Sequence, residues 1–244
     1  MRRPHSMPPH GRAPLLALVA AALLIAGCAA PFGRSSSSGA PAAPRPSAPD
    51  VTYVALGASD AYGIGTDDPD RLNWPSVLAG ELGGPAHLVN LGIPGATVAN
   101  ALRAELPVAL DARPAVVTIW LAVNDLANGT DLATYTRQLT ALVVALRQGT
   151  AARIFVGNLP DLTLLPYFSA NDPAALGAAV KSWNAAIASV CRNEGAYLVD
   201  LNAGWRDLAD HPEYISSDGL HPSTAGAARI ADAFASAIRA AGTP

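Results

Sequence analysis

The residues able to do chemistry in this sequence fall in four short stretches: Ser59 in LGASD, Gly92 and Gly95 in NLGIPGAT, Asn124 in LAVND, and Asp218 with His221 in SSDGLHPS. Together they offer a hydroxyl, flexible backbone amides, a carboxamide, a carboxylate and an imidazole. Those are the components of acyl transfer from an ester. A serine hydroxyl is a weak nucleophile until an imidazole takes its proton during attack. The imidazole in turn needs a carboxylate on its other nitrogen, which selects the tautomer and stabilises the imidazolium. Asp218 and His221, three apart in a turn containing Gly219, can supply both from one segment. The oxyanion of the tetrahedral intermediate needs preorganised donors, for which the Ser59 N–H, the Gly95 N–H and the Asn124 side chain are the candidates. Each such donor is worth about 2.7–4 kcal/mol in the barrier.

The elements around these stretches explain why they converge. Val51–Leu56 is apolar and β-rich; a helix is expected over about Pro75–Leu82, a second strand over His87–Leu91, and a helix over about Thr97–Glu105. Ala115–Val123 is continuously apolar, the pattern of a strand covered on both faces. In the helix expected from Asp131 to Arg147, residues Leu132, Tyr135, Leu139, Leu142, Val143 and Leu146 share one face, and Gly149 ends it. Arg153–Gly157 reads as a fourth strand, Asp172-Pro173 opens another helix, Ala196–Leu201 reads as a fifth strand, and Ser223 caps a last helix. Strand and helix alternate throughout, which predicts an α/β fold: a three-layer sandwich with a central parallel sheet of about five strands. In such sheets sites form at the carboxyl ends of the strands, where the four stretches fall.

On these residues the chain resembles the GDSL-type SGNH hydrolases, a family of esterases and lipases. VALGASDAYGIG carries Ser59 as block one, NLGIPGAT carries Gly95 as block two, LAVND carries Asn124 as block three, and SDGLHPS carries Asp218 and His221 as block five. The likeness covers essentially Val51–Gly242 and implies a flavodoxin-like SGNH hydrolase fold. It also implies catalysis by Ser59, Asp218 and His221, an oxyanion hole of Ser59, Gly95 and Asn124, and no metal or cofactor. Two positions depart from the family pattern. Ala58 stands where block one usually has aspartate, with Asp60 after the serine, and Ala122 stands where block three usually has glycine. The absence of a G-x-S-x-G elbow around Ser59 argues against an ordinary α/β-hydrolase.

Asp218 and His221 would bind a metal only with a close-spaced further ligand, which His87 and His211 do not offer. Asp125 reads as a structural acid tying loops together, Cys191 as an inert core thiol, and Trp74, Trp120 and Trp183 as packing residues. Trp205, in the chain leading to the Asp218–His221 loop, reads as a fourth packing residue or else as a substrate contact. The apolar stretch from Leu162 to Phe168 is either a short buried segment or the lining of an acyl pocket through Leu164, Leu165, Tyr167 or Phe168. Beside hydrolysis, the same residues would serve an acyltransferase, and a non-catalytic envelope binding domain is the reading from a different class.

The N-terminus reads as an address. Arg2, Arg3 and Arg12 precede an apolar run from Leu15 to Ala26, and Ile25-Ala26-Gly27-Cys28 resembles a lipobox. Residues 1–28 are therefore expected to be a lipoprotein signal ending at Cys28, the lipidation site. Residues 29–50 follow as a Ser/Pro/Ala-rich linker, and the hydrolase domain spans 51–244. This predicts an extracytoplasmic protein, anchored to the cell membrane through lipid on Cys28 or secreted if the signal is cut without lipidation. Its partner is then a small-molecule, lipid or glycan ester substrate, and the domain is expected to be monomeric. The 244 residues hold 16 basic and 19 acidic side chains, three of the basic ones in the leader, and one lysine, Lys181. That acidic body argues against nucleic acid as a partner. Two cysteines exclude a disulfide framework or a cysteine-rich zinc site.

Overall fold

The computed structural model describes residues 51–82, 86–204 and 206–242, so the signal, Cys28, the linker and Trp205 lie outside the described residues. In chain order the elements are β1 (Val51–Gly57), α1 (Ser59–Tyr62), α2 (Trp74–Glu81), β2 (Ala86–Asn90), α3 (Val98–Ala104), α4 (Leu106–Asp111) and β3 (Val116–Trp120). They continue as α5 (Val123–Ala127), α6 (Leu132–Gly149), β4 (Arg153–Gly157), α7 (Pro173–Glu194), β5 (Tyr197–Val199), α8 (Leu201–Gly204) and α9 (Thr224–Ala240). Every strand pairing is parallel, and the sheet order is β2-β1-β3-β4-β5.

That order follows from right-handed crossovers. The chain moves one way from β1 to β2 and the opposite way from β2 through β3 to β5, so the connecting helices land on opposite faces. Accordingly α2 packs with α9, while α6 packs with α3, α4 and α7. The reversal lies between β1 and β3, the place where a parallel sheet opens a crevice for a ligand. Burial follows position in the sheet. All five residues of β3 are buried, whereas the edge strands β2 and β5 are mostly not. The buried hydroxyl of Thr118 in β3 is satisfied by Tyr53 from β1 at 2.9 Å.

Helix starts follow their capping chemistry. Asp131, Asp172 and Ser223 each accept a backbone N–H from the first turn of α6, α7 and α9, and Thr97 with Asn100 forms a reciprocal capping box on α3. Boundaries differ from the sequence expectation in several places; the expected fifth strand over Ala196–Leu201 is only Tyr197–Val199, with Leu201 already in α8. The apolar run 115–123 is not all strand: β3 stops at Trp120, and Asn124 and Asp125 lie in the one-turn helix α5. The helix expected to end at Glu105 is followed at once by α4, because Pro107 is well tolerated in a first helical turn. Gly149 is the last residue of α6 rather than its stop. A Cβ there would lie 2.5 Å from Leu110 Cδ2, so the glycine serves close packing against α4.

Candidate active site

β1 delivers Ser59. The chain leaves the strand at Gly57 and enters α1 two residues later. A Cβ on Gly57 would sit 2.5 Å from the Ala61 Cβ, so the turn requires glycine. Ser59 is the first residue of α1, and its N–H has no partner among the described residues.

The C-terminal segment delivers the imidazole. Between Ile215 and Pro222, which form an antiparallel bridge, the chain folds into a tight turn closed by Ser216 N–H to His221 C=O (2.8 Å) and Gly219 N–H to Ser216 C=O (3.0 Å). Gly219 supplies the positive φ of +77° that this turn needs. Asp218 sits inside it. Its Oδ1 accepts the Ser216 hydroxyl (2.8 Å), the Leu220 N–H (2.8 Å) and the His221 N–H (2.9 Å), while Oδ2 lies 2.6 Å from His221 Nδ1. Partial burial works against the charge on Asp218. The two backbone N–H groups, the imidazole and the Ser216 hydroxyl together outweigh it and hold the carboxyl well below the usual carboxylate range. An ionised carboxylate only accepts, so Nδ1 carries the hydrogen and the lone pair of Nε2 faces outward. Ser59 Oγ lies 2.8 Å from that Nε2 and donates to it.

Residues 59 and 221 meet because the loop after α1 is locked to the start of α9. Asp67 N–H donates to Thr224 Oγ1 (3.0 Å), and that hydroxyl donates to Asp67 Oδ2 (2.7 Å). A Cβ on Gly65 would strike the Pro222 carbonyl at 2.4 Å and the His221 Cβ at 2.9 Å.

Ser59, His221 and Asn124 line one cavity of about 60 Å³, walled by Ala58, Asp60, Trp120, Leu121, Ala122, Val123, Pro160, Leu162, Leu165, Ile215, Leu220 and Pro222. The side chain of Asn124 donates one N–H to the Ala96 carbonyl at 2.9 Å, which leaves its second N–H free to serve the cavity. Gly95 is not part of the cavity wall. It sits on the exposed turn beside it, with φ of +78°, in a loop anchored by Ile93 N–H to the Gly57 carbonyl (3.2 Å). A Cβ on Gly95 would meet nothing, so its requirement for glycine comes from backbone conformation alone.

The stretch from Leu162 to Phe168 divides. Leu162 and Leu165 reach the cavity, Phe168 is buried outside it, and Leu164 and Tyr167 are 38% and 59% exposed. Leu164 and Tyr167 are therefore not pocket residues: the stretch forms two 3₁₀ turns that aim alternate side chains outward. The backbone of Tyr167 has a different task, donating its N–H to the Gly219 carbonyl at 3.1 Å and bracing the Asp218 turn. Asp125 is buried and accepts the Val98 N–H at 3.0 Å, tying α5 to α3; burial pushes its carboxyl up to about 6. Cys191 is buried in the core with its thiol pushed up to about 11 by burial.

Two acids near the serine were not singled out as site residues from the sequence. Asp60 lines the cavity; burial pushes it up to about 6, against backbone N–H groups and the charge of His221. Glu105 is 1% exposed and accepts the Gly57 N–H on Oε2 at 3.0 Å. Burial pushes it up to about 8, and the nearby charge of Asp60 adds to this. A signal for Glu105 was present: it falls at helical spacing with the buried Val98, Ala101 and Ala109, an acid on an apolar stripe.

Residues 48–229 match the model of the GDSL-like lipase/acylhydrolase family. The chain belongs to that family. It is 24% identical over 223 residues to an acetylxylan esterase of Xylanibacter ruminicola, an alignment that covers 80% of the chain but only 45% of that relative. Its fold is shared with a variant of Axe2, an acetyl xylan esterase from Geobacillus stearothermophilus. That match has a TM-score of 0.63 and 19% identity, and covers 80% of this chain and 95% of the other. It is shared also with the psychrotrophic esterase EstA of Pseudoalteromonas sp., solved inhibited by monoethylphosphonate. There the TM-score is 0.62 and the identity 22%, covering 78% and 98% of the two chains.

Proposed function

We propose that the protein is an extracytoplasmic serine esterase that hydrolyses short-chain carboxylic esters through an acyl-enzyme on Ser59. The observation that carries this reading is the continuous line Ser59 Oγ–His221 Nε2 (2.8 Å) and His221 Nδ1–Asp218 Oδ2 (2.6 Å). As Ser59 Oγ attacks the acyl carbon, His221 Nε2 takes its proton, and the imidazolium is held by the ionised Asp218. The oxyanion is received by the N–H groups of Ser59 and Gly95 and by the Asn124 side chain. His221 then returns the proton to the leaving alkoxide. Water attacks the acyl-enzyme by the same route and frees the acid.

The size of the cavity supports a short acyl group. A water-sized group needs roughly 10–15 Å³ of such space, so about 60 Å³ holds about four to six of them. The wall is mostly apolar, with Ser59, Asp60, Asn124 and His221 as its polar residues, as an acyl site requires. Acetyl esters, the substrates named for two of the relatives, fit this space.

The lipobox reading supports anchoring through Cys28, which places the esterase on the outer face of a membrane. Intact mass of the mature protein, beginning at an acylated Cys28, tests that part. The catalytic reading is tested by turnover of chromogenic esters of increasing acyl length together with labelling by a fluorophosphonate. Wild type is expected to prefer acetyl to butyryl esters over octanoyl ones and to be labelled on Ser59. Ser59→Ala is expected to lose both turnover and label. Equal turnover by the two proteins overturns the assignment of the nucleophile.

A further inference from the structure

A buried acid beneath the nucleophile is expensive, and the mechanism above makes no use of it. Glu105 is 1% exposed, its Oε1 has no hydrogen-bond partner among the described residues, and its Oε2 has a single donor, the Gly57 N–H. An apolar side chain at this point of the stripe Val98, Ala101, Ala109 would avoid the desolvation cost. What the carboxyl provides is an acceptor at one particular place.

That place is where the β1–β2 ladder ends. The Ala55 carbonyl accepts the Leu91 N–H (2.9 Å) and the Gly57 carbonyl accepts the Ile93 N–H (3.2 Å), as a parallel ladder demands. In a continuous ladder the Gly57 N–H would find a carbonyl of the β2 segment. Here it leaves the ladder and donates to Glu105 instead. Two residues beyond Gly57 is Ser59, and two residues beyond Ile93 is Gly95. The strand exits that carry the nucleophile and the oxyanion turn therefore part at the point that Glu105 caps. Ala58, the alanine where the family usually has aspartate, contributes no side-chain hydrogen bond to this turn.

Resting on the esterase reading above, we propose that Glu105 is a positioning residue for the nucleophile: by accepting the Gly57 N–H it fixes the Gly57–Ala58–Ser59 turn in which Ser59 Oγ meets His221. Its elevated proton affinity fits this role, because a neutral carboxyl accepts the N–H without placing a second anion beside Asp60. Glu105 does not line the cavity, and its hydrogen bond is to Gly57 rather than to Ser59.

The test uses the full chain and two substitutions. Glu105→Gln keeps a carbonyl oxygen at the same reach; Glu105→Met keeps the volume and removes the acceptor. Misplacement of a reacting group by about 1 Å costs on the order of 100-fold in rate. Glu105→Met is thus expected to lower kcat about 10- to 100-fold with KM within about twofold, and to slow fluorophosphonate labelling of Ser59 by the same factor, at temperatures well below its own unfolding midpoint. Glu105→Gln is expected to restore both to within about threefold of wild type. Where Glu105→Met fails to fold, Glu105→Asp, which withdraws the oxygen by one methylene, is expected to show the same split. The proposal is overturned by wild-type labelling and kcat in a folded Glu105→Met or Glu105→Asp protein, or by Glu105→Gln losing as much as Glu105→Met. Wild type that is neither active nor labelled strikes the esterase reading itself; labelled wild type with an unaffected Glu105 variant strikes only this inference.

Discussion

The turn holding Asp218 and the pocket holding Glu105 handle the same chemical group in opposite ways. Asp218 has a side chain 42% exposed and takes four hydrogen bonds, and it is held ionised. Glu105 is sealed in the core with one donor and is pushed up to about 8. Burial works against the charge of both carboxyls; on Asp218 four N–H and O–H donors together outweigh it, whereas Glu105 has a single donor and burial prevails. A carboxylate that must stabilise an imidazolium needs its charge; one that must hold a strand end needs only its lone pair.

The largest effect is expected at Asp218. Asp218→Asn keeps the shape of the turn but presents an amide to His221 Nδ1, so the imidazole is driven toward the wrong tautomer. The expected loss is about 10³- to 10⁴-fold in kcat, measured on an acetyl ester at neutral pH. A loss below about tenfold would mean that the carboxylate charge is unnecessary and the two acids are more alike than the structure implies. Glu105→Gln, whose lone pair survives, is expected to cost no more than about threefold in the same assay.

A smaller effect sharpens the picture at the cavity wall, whose two leucine neighbours point in opposite directions. Leu165→Trp fills part of the cavity and is expected to lower the ratio of butyryl to acetyl turnover about tenfold, the scale of one or two methylenes in a tight pocket. Leu164→Trp, on the exposed side of the same turn, is expected to leave that ratio unchanged within about twofold. Equal shifts from both would remove Leu165 from the acyl site.

The smallest effect concerns stability. Glu105 holds its proton in the folded state up to about 8, whereas the unfolded chain releases it near 4.5. Between these values the native state binds more protons than the unfolded state, so its contribution to stability falls as pH rises through that window and levels off above it. Asp60 and Asp125, each pushed up to about 6, act in the same direction over a narrower range. The unfolding midpoint is therefore expected to drop from pH 5 to pH 8 in wild type, and to drop less in Glu105→Gln. Parallel curves for the two proteins would mean that Glu105 is ionised at neutral pH.

Much of this molecule was legible in its residues. The continuous apolar run before Asn124 marks a central strand, and the capping residues Asp131, Asp172 and Ser223 mark three helix starts, because both signals depend on near neighbours alone. The order of the four chemical stretches, each after an apolar strand, pointed to Ser59, Asn124, Asp218 and His221. Less legible was everything that depends on where one segment's side chain lands on another. Leu164 and Leu165 are identical in type and adjacent, and only the 3₁₀ turns decide which of them faces the cavity. Ala122 and Val123 look like strand, yet the chain turns there into α5, from which Asn124 donates to the Ala96 carbonyl.

The sequence by itself determined the elements, their alternation and the kinds of atoms brought to the rim, since periodicity, caps and residue chemistry are local properties. Tertiary structure alone decided the 2.8 Å approach of Ser59 to His221 across 162 residues, the ionised state of Asp218 and the burial of Glu105. Those depend on distances and desolvation, which come into being only when distant segments exclude water from the same space.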